Sequence, residues 1–495
     1  MSSINTRYLK NIGIVSFGPL FAAVLGFFAE PWISRYWGPK VYGIGIYYNS
    51  IINIVSGLMF LRYNFAIVQA KTQRQAHSLL VLCIIVMLMM LAVVAPFYRY
   101  LTGFLQDDFP FDKYGVLLFI TAIFAALGIL FRFWYSSKRK FIAISGSLIL
   151  SSLSTTILLI VMGAMGKVSE ANMLYIRAFS TMLVPVILII PYLRRDLCIT
   201  LRCVSLKNII AVAKEFRRYP IFEYWGFAAN LLAISLPVMI IARYWGKEVT
   251  GLYGKAYNFL SMINLFIGSS VNSVLHKEAA DIVNRGEDLS QLLIQTSYGL
   301  IKFSILPTVF LVLVAPEFFS VLLGERWRLS GVFAQYLSVW TFMTILSTAI
   351  LPVFGVLNKQ WQLSVFTVST LLIRTALLVW MGKKGASIVL ATSAFALANF
   401  VILGIKSGYI LKVGGVNLGR MFAILGRFLL QLLPYIIMMV AVKALLDLSS
   451  VKILLIASIG AMPYLYLFYI RKSTILALIN GYIKGRLNTW GEAGN

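Results

Sequence analysis

Apolar stretches of about twenty residues recur from near one end of the sequence to near the other, and no other feature constrains the fold as strongly. A helix needs about 20 such residues to cross the hydrocarbon core of a bilayer. Fourteen segments qualify, at approximately 11–34, 44–70, 79–101, 116–135, 141–165, 171–193, 221–243, 252–275, 291–315, 330–352, 361–381, 386–411, 421–447 and 451–470. They lack the period-two alternation of a membrane barrel and are twice the length of a barrel strand. The expected fold is therefore an all-α polytopic membrane protein. Composition agrees, because 60% of the 495 residues are hydrophobic and only 12% charged, about half the charge of an ordinary soluble chain. No polar block is long enough to form a separate soluble domain.

The net charge of +27 would raise nucleic-acid binding in a soluble protein. Here the basic residues are dealt out singly or in small groups between apolar segments, which is how membrane topology is set, so no nucleic acid is expected. Lys138, Arg139, Lys140 and the group Arg194, Arg195, Arg202, Lys207, Lys214, Arg217 and Arg218 fall on the side of the N-terminus. The bias places both termini in the cytoplasm. Arg7 and Lys10 precede a run too long for a signal-peptide core, which reads as a retained first span. In the loop 194–220, Ile209, Ile210, Ala213 and Phe216 are spaced like the apolar face of a helix lying on the membrane surface. Beyond the last span, Ile475, Leu478, Ile479, Tyr482 and Ile483 oppose Lys484 and Arg486 in the same manner. Cys83, Cys198 and Cys203 lack metal or redox spacing and read as free thiols.

An internal repeat organises the spans. Arg35-Tyr36-Trp37-Gly38-Pro39-Lys40-Val41-Tyr42-Gly43 returns as Arg243-Tyr244-Trp245-Gly246-Lys247-Glu248-Val249-Thr250-Gly251, an offset of 208. Ala95-Pro96-Phe97 answers Ala315-Pro316-Glu317, and Lys138 to Phe141 answers Asn358 to Trp361, both at 220. Equivalent anchors lie six spans apart, an even number, so the halves share an orientation and a pseudo-twofold along the membrane normal is expected. The division is then 1–193 for the N-terminal lobe, 194–220 for a cytoplasmic amphipathic connector and 221–411 for the C-terminal lobe. Residues 412–470 form an appendix of two extra spans and 471–495 an amphipathic cytoplasmic tail. Such paired lobes commonly rock about a central site in alternating access.

This six-plus-six-plus-two pattern, together with RYWGPKVYG (35–43), LRYNFAIV (61–68) and LLGERWRLSGVFAQYL (322–337), resembles the Wzx-type polysaccharide flippases. These are relatives of the multidrug and toxin extruders and of the peptidoglycan-precursor flippases. The resemblance implies translocation of undecaprenyl-diphosphate-linked oligosaccharide repeat units, as in O-antigen and lipopolysaccharide assembly, across the bacterial inner membrane. It also implies polymerase and chain-length machinery as downstream partners, membrane lipids as surroundings, and no cofactor.

Charges inside spans cost roughly 3 kcal/mol each at mid-bilayer, so they usually answer a partner or a substrate. Lys302 and Arg374 lie nearest the middle of their spans, and Arg374 extends a polar stripe of Thr367 and Thr370. These two are expected to face a watery cavity, where cations suit a dianionic diphosphate. Arg62 is intermediate in depth, while Arg132 and Arg177 sit close enough to span ends to snorkel. Asn49, Asn53 and Ser56 on the second span, and Asn258, Ser261 and Asn272 on the eighth, form polar stripes that serve either interhelical hydrogen bonding or sugar contacts. Glu30 and Glu223 are the acidic residues placed within spans, both near ends. Glu30 reads as interfacial, Glu223 as a partner of Arg217 or Arg218, and both as candidates for coupling to H+ or Na+. Gly324-Glu325-Arg326-Trp327-Arg328 reads as an interfacial helix anchor.

Two rival readings remain. A cation-coupled multidrug antiporter would hold carboxylates deep in its lobes. A membrane polysaccharide polymerase or acyltransferase would need a catalytic cluster, yet His77 and His276 fall in predicted loops and no intramembrane His/Asp/Glu constellation accompanies them. No Walker A sequence is present. A non-enzymatic carrier is the expectation.

Overall fold

The computed structural model describes residues 18, 21–105 and 110–470. Residues 1–17 and 19–20, which include Arg7, Lys10 and part of the first expected span, lie outside them, as does the whole tail from 471. Every regular element among the described residues is helical: α1 (21–36), α2 (Pro39–Leu58), α3 (Tyr63–Gln69), α4 (Gln73–Leu105), α5 (Phe111–Ser137), α6 (Phe141–Ala164), α7 (Glu170–Arg195), α8 (Leu197–Cys203), α9 (Leu206–Glu215), α10 (Tyr224–Asn284), α11 (Ser290–Leu323), α12 (Arg328–Ala349), α13 (Val353–Val356), α14 (Gln360–Lys383), α15 (Ile388–Val413), α16 (Leu418–Leu445) and α17 (Ser450–Leu465). Only helices satisfy every backbone group within one apolar segment. Val116, Ile142, Phe422 and Leu430 present apolar side chains outward, an arrangement that lipid makes cheap and water does not.

Eleven helices among the described residues are long and apolar enough to span a membrane, twelve if α2 and α3, bent by 60°, count as one. Among the described residues, fourteen such helices are not reached. The expected spans 221–243 and 252–275 fall in α10, one long helix interrupted only at Gly246 (φ 83°). The bend between α2 and α3 sits at Leu61 (φ 46°) and Arg62 (φ 69°), left-handed conformations that are uncommon for residues with a Cβ. Helix starts carry ordinary caps: Pro39 opens α2, and Ser169, Ser205 and Asn417 accept backbone N–H bonds at α7, α9 and α16. Just ahead of α11, hydrogen bonds from the Ser290 hydroxyl and backbone N–H hold the Asp288 carboxyl below its usual pKa.

Contacts divide the chain into two compact units, Met1–Lys255 with Ser364–Ala391, and Ala256–Leu363 with Thr392–Asn495. In the first, Met59, Tyr63, Leu80, Trp134 and Tyr192 build a core that also takes in Val212 of α9, with Ile209, Ala213 and Phe216 packed against it. The apolar face expected to lie on the membrane is thus spent on the protein, and of the four residues only Ile210 is exposed. His77 is likewise no loop residue: it belongs to α4, is buried, and its Nδ1 lies 2.6 Å from Thr200 Oγ1 of α8. His276 lies in α10. In the second unit, α11 packs with α16 and α17 through Ile305, Leu306, Phe428, Leu432 and Ala457. Trp327 is fully buried and Glu325 accepts from the Ser320 hydroxyl of α11, so the GERWR segment is held by packing and hydrogen bonding within the protein.

The two RYWG copies meet in the first unit. A Cβ on Gly43 would fall 1.8 Å from the Lys247 carbonyl oxygen, and one on Gly251 would fall 1.9 Å from that of Pro39. Pro39 and Lys247 are themselves mates at the 208-residue offset, so the contact is reciprocal, as a twofold axis requires. Mates themselves meet at Gly43 and Gly251, where a Cβ on Gly43 would fall 2.8 Å from Gly251 N and one on Gly251 2.9 Å from Gly43 N, and again one turn further on, where Gly254 abuts Ile46. Two successive mate-to-mate contacts mean that the two helices run side by side in the same direction at this point. Antiparallel partners would bring only one such pair together.

The preceding tyrosines dock in matching sockets, whereas the tryptophans bond carbonyls on opposite sides of them. Tyr36 covers Gly163 and Trp37 donates its indole N–H to the Leu159 carbonyl at 2.8 Å. Tyr244 covers Gly382 and Trp245 donates to the Ala386 carbonyl at 2.9 Å. Both helices beneath end alike, at Gly166 (φ 70°) and Gly385 (φ 64°), with Lys167 N bonding Met162 O and Ala386 N bonding Met381 O. This is the left-handed glycine stop, and it exposes a second repeat, MGxxG at 162–166 and 381–385, offset by 219. Arg139 (φ 54°) and Asn358 (φ 55°) agree with 219, correcting the 220 read from sequence by one residue.

Candidate functional site

A cleft of about 900 Å³ opens between α11, α16 and α17 in the second unit. Lys302, half-buried on α11, and Arg427 on α16 contribute its cations; Gln431 adds an amide; Tyr298, Phe428 and Leu467 give it an apolar wall. Pro434 and Pro463 also line it, and each ring removes one backbone hydrogen bond from its helix. The wall is therefore where α16 and α17 are least regular. Fixed positive charge beside apolar and aromatic surface is complementary to an amphiphile with an anionic head. Arg427 was missed in the sequence although it lies within the span 421–447, because its helix was set aside as an appendix.

Arg374 belongs to the other unit. It is buried on α14, with Nη1 3.4 Å from the carbonyl oxygen of Ala233 on α10. That carbonyl lies four residues before Pro237, whose missing N–H would have been its helical partner. Arg62 caps α3 with its guanidinium 3.4 Å from the centre of the Phe65 ring and 4.4 Å from that of Phe227, a stacked cation–π arrangement. Its Nε is buried without a hydrogen-bond partner. Arg177 on α7 lies against α2, its Nε 3.8 Å from where a Cβ on Gly45 would sit. Arg132 on α5 is half-buried. Asn49 is half-buried, Asn53 and Asn258 are exposed, and Asn272 donates to the Thr348 carbonyl at 2.8 Å.

Among the acidic candidates, Glu30 is no lone interfacial residue. It pairs with Lys255 of α10 and accepts from Tyr42 Oη at 3.1 Å and from Ser34 Oγ at 3.3 Å. Lys255 was overlooked in the sequence despite being the fourth residue of the eighth span. Glu223 makes no ion pair with Arg217 or Arg218 among the described residues; its electrostatic neighbour is Arg62. Glu317 was passed over because its span was ended at 315. Helix α11 continues through it, and its buried carboxylate pairs with Lys443 of α16 at 2.8 Å. Among the described residues no group of His, Cys, Asp and Glu could hold a metal ion.

The lipid II flippase MurJ, in an inward closed conformation, superimposes with a TM-score of 0.67 at 13% identity, over 92% of this chain and 98% of that one. A multidrug resistance transporter of the MATE family of the MOP superfamily, inward-facing, gives a TM-score of 0.56 at 14% identity, over 81% and 99%. At such identities the likeness is one of fold, an all-helical polytopic one. No curated protein matches the chain by sequence. The model of the polysaccharide biosynthesis protein family matches residues 32–331, more than half of the sequence, and the chain belongs to that family.

Proposed function

We propose that the chain is a flippase moving undecaprenyl-diphosphate-linked oligosaccharide repeat units from the cytoplasmic to the outer leaflet of a bacterial cytoplasmic membrane. The observation that carries this reading is the cleft in which Lys302 and Arg427 stand beside an aromatic and apolar wall. A diphosphate needs cations to leave water for a low-dielectric path, and an isoprenoid chain needs apolar surface. Membership of the polysaccharide biosynthesis family and a fold shared with a lipid II flippase support the same class of cargo.

In this reading, fourteen spans form two parallel six-span lobes and two extra spans, with both termini cytoplasmic. Lys302 and Arg427 hold the diphosphate and the lobes rock to release the glycan outside, where polymerase and chain-length machinery consume it. A membrane potential contributes about 2.3 kcal/mol per uncompensated charge per 100 mV, and H+ or Na+ exchange is the alternative drive. The test is translocation of a defined undecaprenyl-diphosphate oligosaccharide in proteoliposomes. Lys302→Ala and Arg427→Ala are each expected to slow it at least about tenfold, the equivalent of one lost charge-assisted hydrogen bond. Full rates in both variants remove the site. Drug extrusion or glycan polymerisation by the wild type, without flipping, replaces the function.

A further inference from the structure

We infer that the ion pair between Lys255 and Glu30 is a latch that holds the two repeats together at the RYWG end of the seam, and that it parts when this end opens. The pair crosses from one repeat to the other: Glu30 and Tyr42 belong to α1 and α2, whereas Lys255 follows the second RYWG copy on α10. Lys255 Nζ donates to one carboxylate oxygen of Glu30, and Tyr42 Oη donates to the other at 3.1 Å. The ammonium also lies 3.8 Å from the centre of the Tyr42 ring, which Arg177 approaches to 5.9 Å from α7. The cluster is closed on the lysine side, where 3% of the side chain is exposed, and partly open on the glutamate side, at 29%.

Position gives the pair its role. Lys255 comes four residues after Gly251, where the two helices touch backbone to backbone with no side chain between them. Glycine contacts allow close approach but contribute little side-chain burial of their own, so a separable ion pair beside them determines how firmly the seam stays shut. Separating it within the seam strands a buried charge; separating it while the seam opens lets water reach both groups. The pair therefore favours either a closed end or a fully opened one. It is also single, since the repeat mates of Glu30 and Lys255 are Val238 and Tyr47, which carry no charge. The pair thus has no symmetric counterpart in the other repeat.

The link from latch to cargo release rests on the proposed transport function, but the latch can be tested without cargo. In a background lacking Cys83, Cys198 and Cys203, Ile46→Cys places a thiol in the seam, where Ile46 is 8% exposed. Its labelling by a membrane-impermeant maleimide reads opening. Glu30→Gln and Lys255→Met are expected to raise the labelling rate about tenfold, and Tyr42→Phe less, in protein that elutes as a single species. Wild-type labelling rates in both folded single variants overturn the latch. If neither single variant folds, Glu30→Cys with Lys255→Cys, joined by a short thiol-cleavable cross-linker, decides. The joined protein is expected to protect a reporter at position 46 and, on reduction, which leaves neither charge in place, to show the raised labelling of an unlatched seam; unchanged labelling when joined overturns the latch. Wild-type labelling rates in the variants, with normal flipping by the wild type, would sink the latch alone, while raised labelling in the variants without flipping by the wild type would sink the transport reading alone.

Discussion

Three prolines inside spanning helices each strand a carbonyl, and each carbonyl is met by a donor from elsewhere in the chain. Pro237 frees the Ala233 oxygen, taken by Arg374; Pro307 frees that of Phe303, taken by Tyr469 Oη; Pro316 frees that of Val312, taken by Gln335 Nε2 at 2.7 Å. In hydrocarbon no water can substitute, and an unmet polar group costs about 1–3 kcal/mol. Arg374 therefore has structural work independent of any substrate, which the sequence could not show: the proline is legible, its distant donor is not. Because the 3.4 Å contact is long, Arg374→Met is expected to destabilise toward the lower end of that range in detergent thermal unfolding. In a Pro237→Ala background, where the restored N–H serves Ala233, the same substitution should cost less. Equal costs in both backgrounds would refute the pairing, and equal losses of flipping without loss of stability would return Arg374 to the substrate path.

At the scale of elements, the matching sockets on α6 and α14 carry a prediction of equivalence. A Cβ at Gly163 would sit 2.7 Å from Tyr36, and one at Gly382 would sit 2.3 Å from Tyr244, so Gly163→Val and Gly382→Val should each cost about 1–3 kcal/mol by overpacking. Gly226, whose Cβ would meet nothing within 4 Å, should accept alanine with unchanged or raised stability. Unequal socket effects, or loss at Gly226 of the same size, would refute the equivalence; melting temperatures decide it. The elements themselves were largely legible, since apolar runs of spanning length fix helices almost by solvent alone. What misled was amphipathicity: the faces of Ile209, Ala213 and Phe216 and of Trp327 show that apolar surface must be covered, but not whether protein or lipid covers it. The candidate site was half legible for the same reason. Lys302 was found from its depth in a span, whereas Arg427, Lys255 and Glu317 depend on which helices pack together and where a helix really ends.

For the whole molecule, the duplicated motif matters because its copies touch. Reciprocal contact of Gly43 with Lys247 and of Gly251 with Pro39 means that a methyl group added at either glycine presses on the same seam from opposite sides. The obstacle is backbone, which cannot rotate away as a side chain can, and the helices must separate to admit it. Gly43→Ala and Gly251→Ala are therefore expected to act alike, each raising thiol labelling at position 46 severalfold and each slowing any cycle that requires the seam to close again. Closure should suffer more than opening, so a protein bearing either substitution would accumulate with the RYWG end open, whereas loss of the Lys255–Glu30 pair removes a hold without adding an obstacle. The two classes separate kinetically: alanine variants should show labelling that no longer depends on the latch, so that adding Lys255→Met to Gly43→Ala changes the rate by less than about twofold, non-additivity being the mark of residues that share one interaction. Additive effects would mean that glycine contact and ion pair control different openings. Unlike responses of Gly43→Ala and Gly251→Ala would mean that the local twofold does not govern how the seam works.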